Sequence, residues 1–303
     1  MGEQSKELGE AFENYSKSLL KNFKWNILGS NIEIKCTRHS SHKQKNTHGI
    51  DLLAGYYNPF KNKNEAVIIE CKNRKWEKFI PSEVNSWLEE LRNNIECSSN
   101  SAEVVNRLDN HTLIGGILLY NSSDGEYDAE KAKRTISSIT ISNKRFPYIL
   151  YLADTRKLSK WDAFSKEIVK LREIDPDFSI IYPSICGSEW KRIDIVTPNY
   201  LFSDFIIGSY LGKPNNPYIH EESVEKKVIF YFDAINTSSL IYLKSMINEL
   251  QIEATNGNNK EICFYFFPET IEDSIFLSKN FNQIYEKDNF YYEKINIKGF
   301  NIY

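Results

Sequence analysis

Asp51, Glu70 and Lys72 are the residues whose types and spacing could do chemistry. Gly49-Ile50-Asp51 is followed after eighteen residues by Glu70-Cys71-Lys72. In a strand the side chains alternate faces, so Glu70 and Lys72 point the same way with one residue between them. They end an otherwise apolar strand, where a charge reaches solvent. Asp51 stands near the start of the preceding strand, and a hairpin would bring its carboxylate beside Glu70. Two carboxylates held close together repel unless a divalent cation neutralises them. Mg²⁺ favours one or two carboxylates with water and phosphate oxygens completing its shell. Lys72 would hold or deprotonate the attacking water and offset charge on a pentavalent transition state. The pattern suffices for phosphodiester hydrolysis. The competing reading makes Asp51 a turn residue and Glu70-x-Lys72 a solvated ion pair. The hydrophobic strand before Glu70, the Gly-x-Asp strand at hairpin distance and the amphipathic helix upstream weigh against it.

The helix carrying Gly9-Glu10-Ala11-Phe12-Glu13, then HGID (48–51) and IIECK (68–72), resembles the PD-(D/E)XK nuclease superfamily, particularly its Mrr-like restriction-endonuclease branch. The likeness covers roughly residues 5–155 in the order helix, three strands, helix, strand. The resemblance implies a two-carboxylate Mg²⁺ site at Asp51 and Glu70, with Mn²⁺ an acceptable substitute. It implies Lys72 as the catalytic lysine and the backbone carbonyl of Cys71 as a further metal ligand. It also implies a first-helix glutamate, for which Glu13 fits best and Glu10 second; on a helix surface either is equally read as solvated. The sequence departs from the family pattern in having no proline before the acid.

Basic residues bracket the motif: Lys35, Arg38, Lys43 and Lys45 before it, Arg74, Lys75 and Lys78 after it. Such side chains would position phosphates without reading sequence, or simply be solvated surface. Trp76 is read either as a packing residue or as a stacking platform for an unpaired base. Cys36, His39, His42 and His48 offer four donors for zinc, but this spacing departs from the usual paired pattern and no second knuckle follows, so zinc is the lesser reading. The sequence carries no G-x-S-x-G motif and no glycine-rich phosphate loop. Gly115-Gly116, inside an apolar strand, marks close packing.

These residues sit in a chain of 303 residues that is 41% hydrophobic and 26% charged, enough for a large core or two. Residues 1–80 hold 14 Lys and Arg against 9 Asp and Glu, an excess of +5; since the whole chain carries −3, residues 81–303 carry −8. A basic first third suits a polyanion partner. The polar amphipathic N-terminus, the absence of a long apolar run and five cysteines scattered without paired spacing predict a cytoplasmic protein with reduced thiols and no membrane partner.

Periodicity predicts a helix over 4–22, a break at Gly29-Ser30, strands at 31–36, 49–57 and 65–72, helices at 81–97 and 101–108, and a strand at 113–120. A helix at 129–142, a strand at 146–154 and a helix at 155–172 follow. Strands at 178–183 and 192–197, a helix at 199–210 and linkers at 212–217 and 220–225 come next. Residues 227–303 alternate β-α-β-α-β, either as a separate unit or as an extension of the preceding sheet. The expected fold class is α/β: a restriction-endonuclease-like mixed sheet flanked by helices over residues 1–155, with an additional C-terminal α/β region over 156–303 for sensing, dimerisation or partner docking. The expected function is a Mg²⁺-dependent DNA endonuclease, by family analogy a bacterial restriction or anti-phage effector, acting as a homodimer or with a partner protein of a defence system. RNA or branched DNA as substrate, or a non-catalytic binding module on the same fold, stay open.

Overall fold

The protein is described from a computed structural model, which covers residues 2–42, 46–141, 148–182, 191–214, 220, 222–250, 261–285 and 291–296, with side chains undescribed for 2–5 and 291–296. One compact unit runs to Trp161 and a second from Asp162 to Phe300. The division falls inside a single helix, which is why no Gly- or Pro-rich linker marks it.

In the first unit, helix α1 (Gly2–Asn22) buries Phe12, Leu19 and Leu20, the positions at helical spacing, while Leu8 stays largely exposed. Strands β1 (Asn26–Lys35), β2 (Thr47–Asn58) and β3 (Lys63–Arg74) form an antiparallel meander. The break expected at Gly29-Ser30 is instead a register shift between Ile27 and Gly29 within one longer strand. Glycine in a strand accommodates such a bulge without ending it. Helix α2 (Pro81–Ser98), with Pro81 in its first turn, and α3 (Ala102–Leu108) carry the chain over to β4 (Thr112–Ser122), parallel to β3. After α4 (Ala129–Ser137), β5 (Ile149–Ala153) adds in parallel, and the five strands lie in the order β1-β2-β3-β4-β5.

Ala66 to Ile69 are fully buried, as expected of a central strand covered on both faces. Cys71 faces Ser16 of α1, with Sγ 3.8 Å from Oγ, whereas Glu70 and Lys72 face α2. The two helices therefore cover opposite faces of the sheet. On the α2 side Val84, Trp87, Leu88, Leu91 and Ile95 pack against Ile50, Leu53, Ile68, Leu118 and Tyr120. Trp76 lies in this core, stacked on Phe79 with ring centroids 5.1 Å apart. Burial excludes it as a stacking platform for a base. Gly115 and Gly116 sit where backbones crowd: a Cβ on Gly115 would lie 1.9 Å from the Ile149 carbonyl oxygen.

The second unit begins within α5 (Thr155–Ile174) and contains β6 (Ser179–Tyr182), β7 (Lys191–Ile193), α6 (Pro198–Leu201), β8 (Phe205–Gly212), β9 (Val224–Tyr231), α7 (Thr237–Glu249), β10 (Glu261–Phe266), α8 (Ile271–Tyr285) and β11 (Tyr291–Asn296). The six strands form one sheet in the order β11-β10-β9-β8-β6-β7, so the segment from 227 onward extends the preceding sheet. The helix expected over 199–210 is corrected: one helical turn ends at Leu201, and Phe205 onward is strand β8. That strand is buried at five consecutive positions, so its apolar run has no polar face by which periodicity could tell strand from helix. Gly212 closes β8 and Val224 opens β9; residues 215–217 and 221 of the expected linkers lie outside the described residues. Among the described residues no helix is long and apolar enough to cross a membrane. Cys36, Cys71, Cys97 and Cys263 form no disulfide.

Candidate active site

The ladder between β2 and β3 runs from Asn58↔Lys63 to Leu52↔Ile69 and stops there. One residue beyond its end on β2, the carboxylate of Asp51 takes the place of a backbone partner: Cys71 N–H donates to Asp51 Oδ2 at 2.7 Å. β3 continues past this point because β4 supports it through Arg74↔Ser122. The opening at the end of the β2–β3 ladder holds Glu70 and Lys72. Lys72 Nζ donates to Glu70 Oε1 at 2.5 Å and to Glu90 Oε2 at 3.3 Å. Glu70 is buried, at 5% exposure.

Burial pushes the Glu70 carboxyl up to about 7, with the Asp51 charge adding to it against the pull of Lys72. Asp51 is also held above the usual carboxylate range, by burial and by the Glu90 charge, against the Cys71 N–H and Lys72. Both acids are thus short of positive charge even with Lys72 present. A set of carboxylate oxygens in that state fits a hard divalent cation. Lys72 loses charge stabilisation by burial but regains more from Glu70, Glu90 and Asp51, so its ammonium is held above its ordinary value. Lys72 is a cation here, suited to orienting water and stabilising negative charge rather than to taking a proton.

Glu13 is half-buried on α1 and is raised by burial and then by the Asp51 charge, which places it beside the site. Glu10 is exposed and sits 3.9 Å from Lys6. Of the basic residues, Arg74 is exposed and close enough to draw Asp51 downward, and Lys75 is exposed beside it in sequence. Lys35 is at the end of β1, where its charge acts on Glu103 of α3. The Arg38 guanidinium donates to Glu96 at 3.3 Å. Lys43 and Lys45 lie outside the described residues.

Sequence reasoning missed two residues of α2. Glu90 is the second anion on Lys72. Asn94, one helical turn later, donates to the Gly49 carbonyl at 2.8 Å and lies 3.5 Å from Glu70 Oε2. The available signal was their i,i+4 spacing beside the apolar stripe of Trp87, Leu88, Leu91 and Ile95.

Residues 1–157 match the family model described as "GAPS4 protein PD-(D/E)XK nuclease domain". No curated protein matches the chain. The match spans more than half of the chain and includes α1, the β1–β3 meander that carries Asp51, Glu70 and Lys72, and the parallel strands β4 and β5. The mixed sheet flanked by helices is the restriction-endonuclease-like fold that such a domain adopts. The chain belongs to the family of the GAPS4 protein PD-(D/E)XK nuclease domain.

Proposed function

We propose that this protein is a Mg²⁺-dependent endonuclease that hydrolyses phosphodiester bonds of DNA. The observation that carries the reading is the meeting of Asp51, Glu70 and Lys72 at the open end of the β2–β3 ladder, with the Glu70 carboxyl pushed up to about 7. Asp51, Glu70 and the backbone carbonyl of Cys71 would hold the cation, with Glu13 completing the acid set from α1. Once bound, Mg²⁺ (or Mn²⁺ in its place) supplies charge neutralisation and polarises the scissile phosphate.

The chain's own residues do the rest. Asp51 is fixed in place by the Cys71 N–H, so its carboxylate is oriented before substrate arrives. Asn94 ties α2 to the Gly49 carbonyl, two residues before Asp51. Lys72, charged and held between Glu70 and Glu90, orients the attacking water and stabilises the transition-state oxyanion. Arg74 and Lys75 contact substrate phosphates at the mouth of the site, and phosphate contact is the role proposed for Lys35, Lys43 and Lys45 as well. Phosphate contact is also proposed for Arg38, which is paired with Glu96.

The second unit serves sensing, dimerisation or docking of a partner, and a restriction or anti-phage role in the cytoplasm follows by analogy with nucleases of this fold that carry an added module. The test is incubation of the full chain with supercoiled plasmid, linear duplex and RNA, in Mg²⁺ or in EDTA, beside Lys72→Ala. Mg²⁺-dependent DNA cleavage that Lys72→Ala reduces roughly 10²–10³-fold supports the reading. Cleavage of RNA alone overturns the substrate. Cleavage of neither, in Mg²⁺ or Mn²⁺, makes the fold a binding module.

A further inference from the structure

We propose that Cys36, His42, His48 and Cys97 hold a structural Zn²⁺ ion, separate from the acid site. All four residues are buried, and one donor atom from each lies within 4.8 Å of the other three. Three edges of the cluster meet at one atom, His42 Nδ1. His42 Nδ1 is 3.5 Å from Cys36 Sγ, 3.5 Å from Cys97 Sγ and 3.4 Å from His48 Nε2. A tetrahedral zinc with Zn–S of about 2.3 Å and Zn–N of about 2.0–2.1 Å has S···N edges of about 3.6 Å and N···N edges of about 3.3 Å. The observed edges agree with these to within about 0.1 Å.

Hydrogen bonding does not account for this convergence. A ring nitrogen has either one in-plane lone pair or one hydrogen. His42 Nδ1 meets two sulfurs and a second imidazole nitrogen at once, which is the geometry of donors sharing a central ion.

The surroundings are those of a bound cation with thiolate ligands. The other nitrogen of His42, Nε2, is 3.2 Å from Glu96 Oε2, so Nε2–H donates to a carboxylate and leaves Nδ1 as the ligating atom. Thr37 donates to Cys97 Sγ twice, from its backbone N at 3.5 Å and from Oγ1 at 3.6 Å. Arg38 balances the Glu96 charge. Two thiolates and two neutral imidazoles select zinc over the hard cations, and four protein ligands leave no open position, so the site is structural and not catalytic.

The sequence hides this site. Five residues separate Cys36 from His42 and five separate His42 from His48, while Cys97 is 49 positions further on, at the end of another element. His39, which the spacing offered as the fourth ligand, is exposed; Cys97 takes that place. The ion would join the end of β1, the start of β2 and the last turn of α2. His48 is three residues before Asp51, and Cys97 three after Asn94. Zinc would therefore brace α2, which carries Glu90 and Asn94, against the strand that carries Asp51.

The experiment is metal analysis of the full chain, expressed with zinc in the medium and passed over chelating resin. It should retain about one zinc per chain. The Co²⁺-exchanged protein should show the visible bands of a tetrahedral ion and thiolate-to-metal charge transfer in the near ultraviolet. Cys97→Ser and His42→Ala should lose the ion, whereas His39→Ala and Asp51→Ala should keep it, which separates this site from the acid site. Wild-type protein with no zinc and no tetrahedral cobalt spectrum overturns the proposal, as does a disulfide between Cys36 and Cys97 in that preparation. If Cys97→Ser does not fold, the wild-type cobalt spectrum and the zinc content of His39→Ala and Asp51→Ala decide.

Discussion

Replacing Glu70 by glutamine removes a carboxyl that the fold holds at about 7 in place of the ordinary 4.5, and its effect on stability can be worked out with its sign. Because the native carboxyl keeps a proton that the unfolded chain releases, the native state binds more protons than the unfolded one across that interval. Its contribution to stability therefore falls as pH rises from about 4.5 to about 7 and is flat on either side. Moving the carboxyl from 4.5 to about 7, at 1.36 kcal/mol per tenfold change in proton affinity, amounts to about 3 kcal/mol. Glutamine keeps the shape and does not titrate. In EDTA, the stability of Glu70→Gln relative to wild type should rise by roughly 2–3 kcal/mol between about pH 5 and about pH 8. Adding Mg²⁺ or Mn²⁺ at the higher pH should restore the wild type and leave the variant unchanged, since the cation replaces the proton. Urea unfolding followed by tryptophan fluorescence reads this, because Trp25, Trp76 and Trp87 are all buried in the first unit. Urea is preferable to guanidinium, which screens the charges in question. Wild-type and Glu70→Gln curves that stay parallel across this pH range would refute the reasoning, as would a wild type that gains on the variant as pH rises.

Glu13→Gln should raise the Mg²⁺ concentration needed for half-maximal cleavage several-fold while Glu10→Gln leaves it unchanged, which a metal titration of plasmid nicking measures. Glu90→Gln removes an anion that helps raise both Asp51 and Glu70, so the acid limb of the pH–rate profile should move to lower pH. An acid limb that stays in place or moves upward contradicts that assignment. Gly115→Ala puts a methyl group 1.9 Å from the Ile149 carbonyl oxygen, and should cost about 3 kcal/mol or displace β5. Thermal melts by circular dichroism, compared with Gly9→Ala, whose added Cβ would meet nothing within 4 Å, provide the measurement.

If the zinc site forms, the two metal positions divide the work. The proposed Mg²⁺ position would serve chemistry through oxygen ligands that exchange readily. The other serves geometry through sulfur and nitrogen ligands, bracing the helix that supplies Glu90 and Asn94. A chelator would then act on the protein in two stages, losing the labile ion first and the structural one later.

Local pattern by itself determined the strands and helices around the acids. Period-two alternation placed Glu70 and Lys72 on one face of a buried strand, and the turn between two apolar runs set Asp51 a hairpin away. These relations are short in sequence, so they survive without knowledge of the fold. Tertiary structure decided what depended on distant residues meeting. It half-buried Glu13, which the family likeness ranks above Glu10, near enough to feel the Asp51 charge, and left Glu10 exposed. It brought Glu90 and Asn94 to the site by packing α2 on the face of β3 that carries Glu70 and Lys72, and it buried Trp76. It made Phe205–Gly212 a strand, because pairing with β9 satisfied a backbone whose side chains were apolar on both faces. And it replaced His39 with Cys97, 61 positions beyond Cys36, where no spacing rule looks.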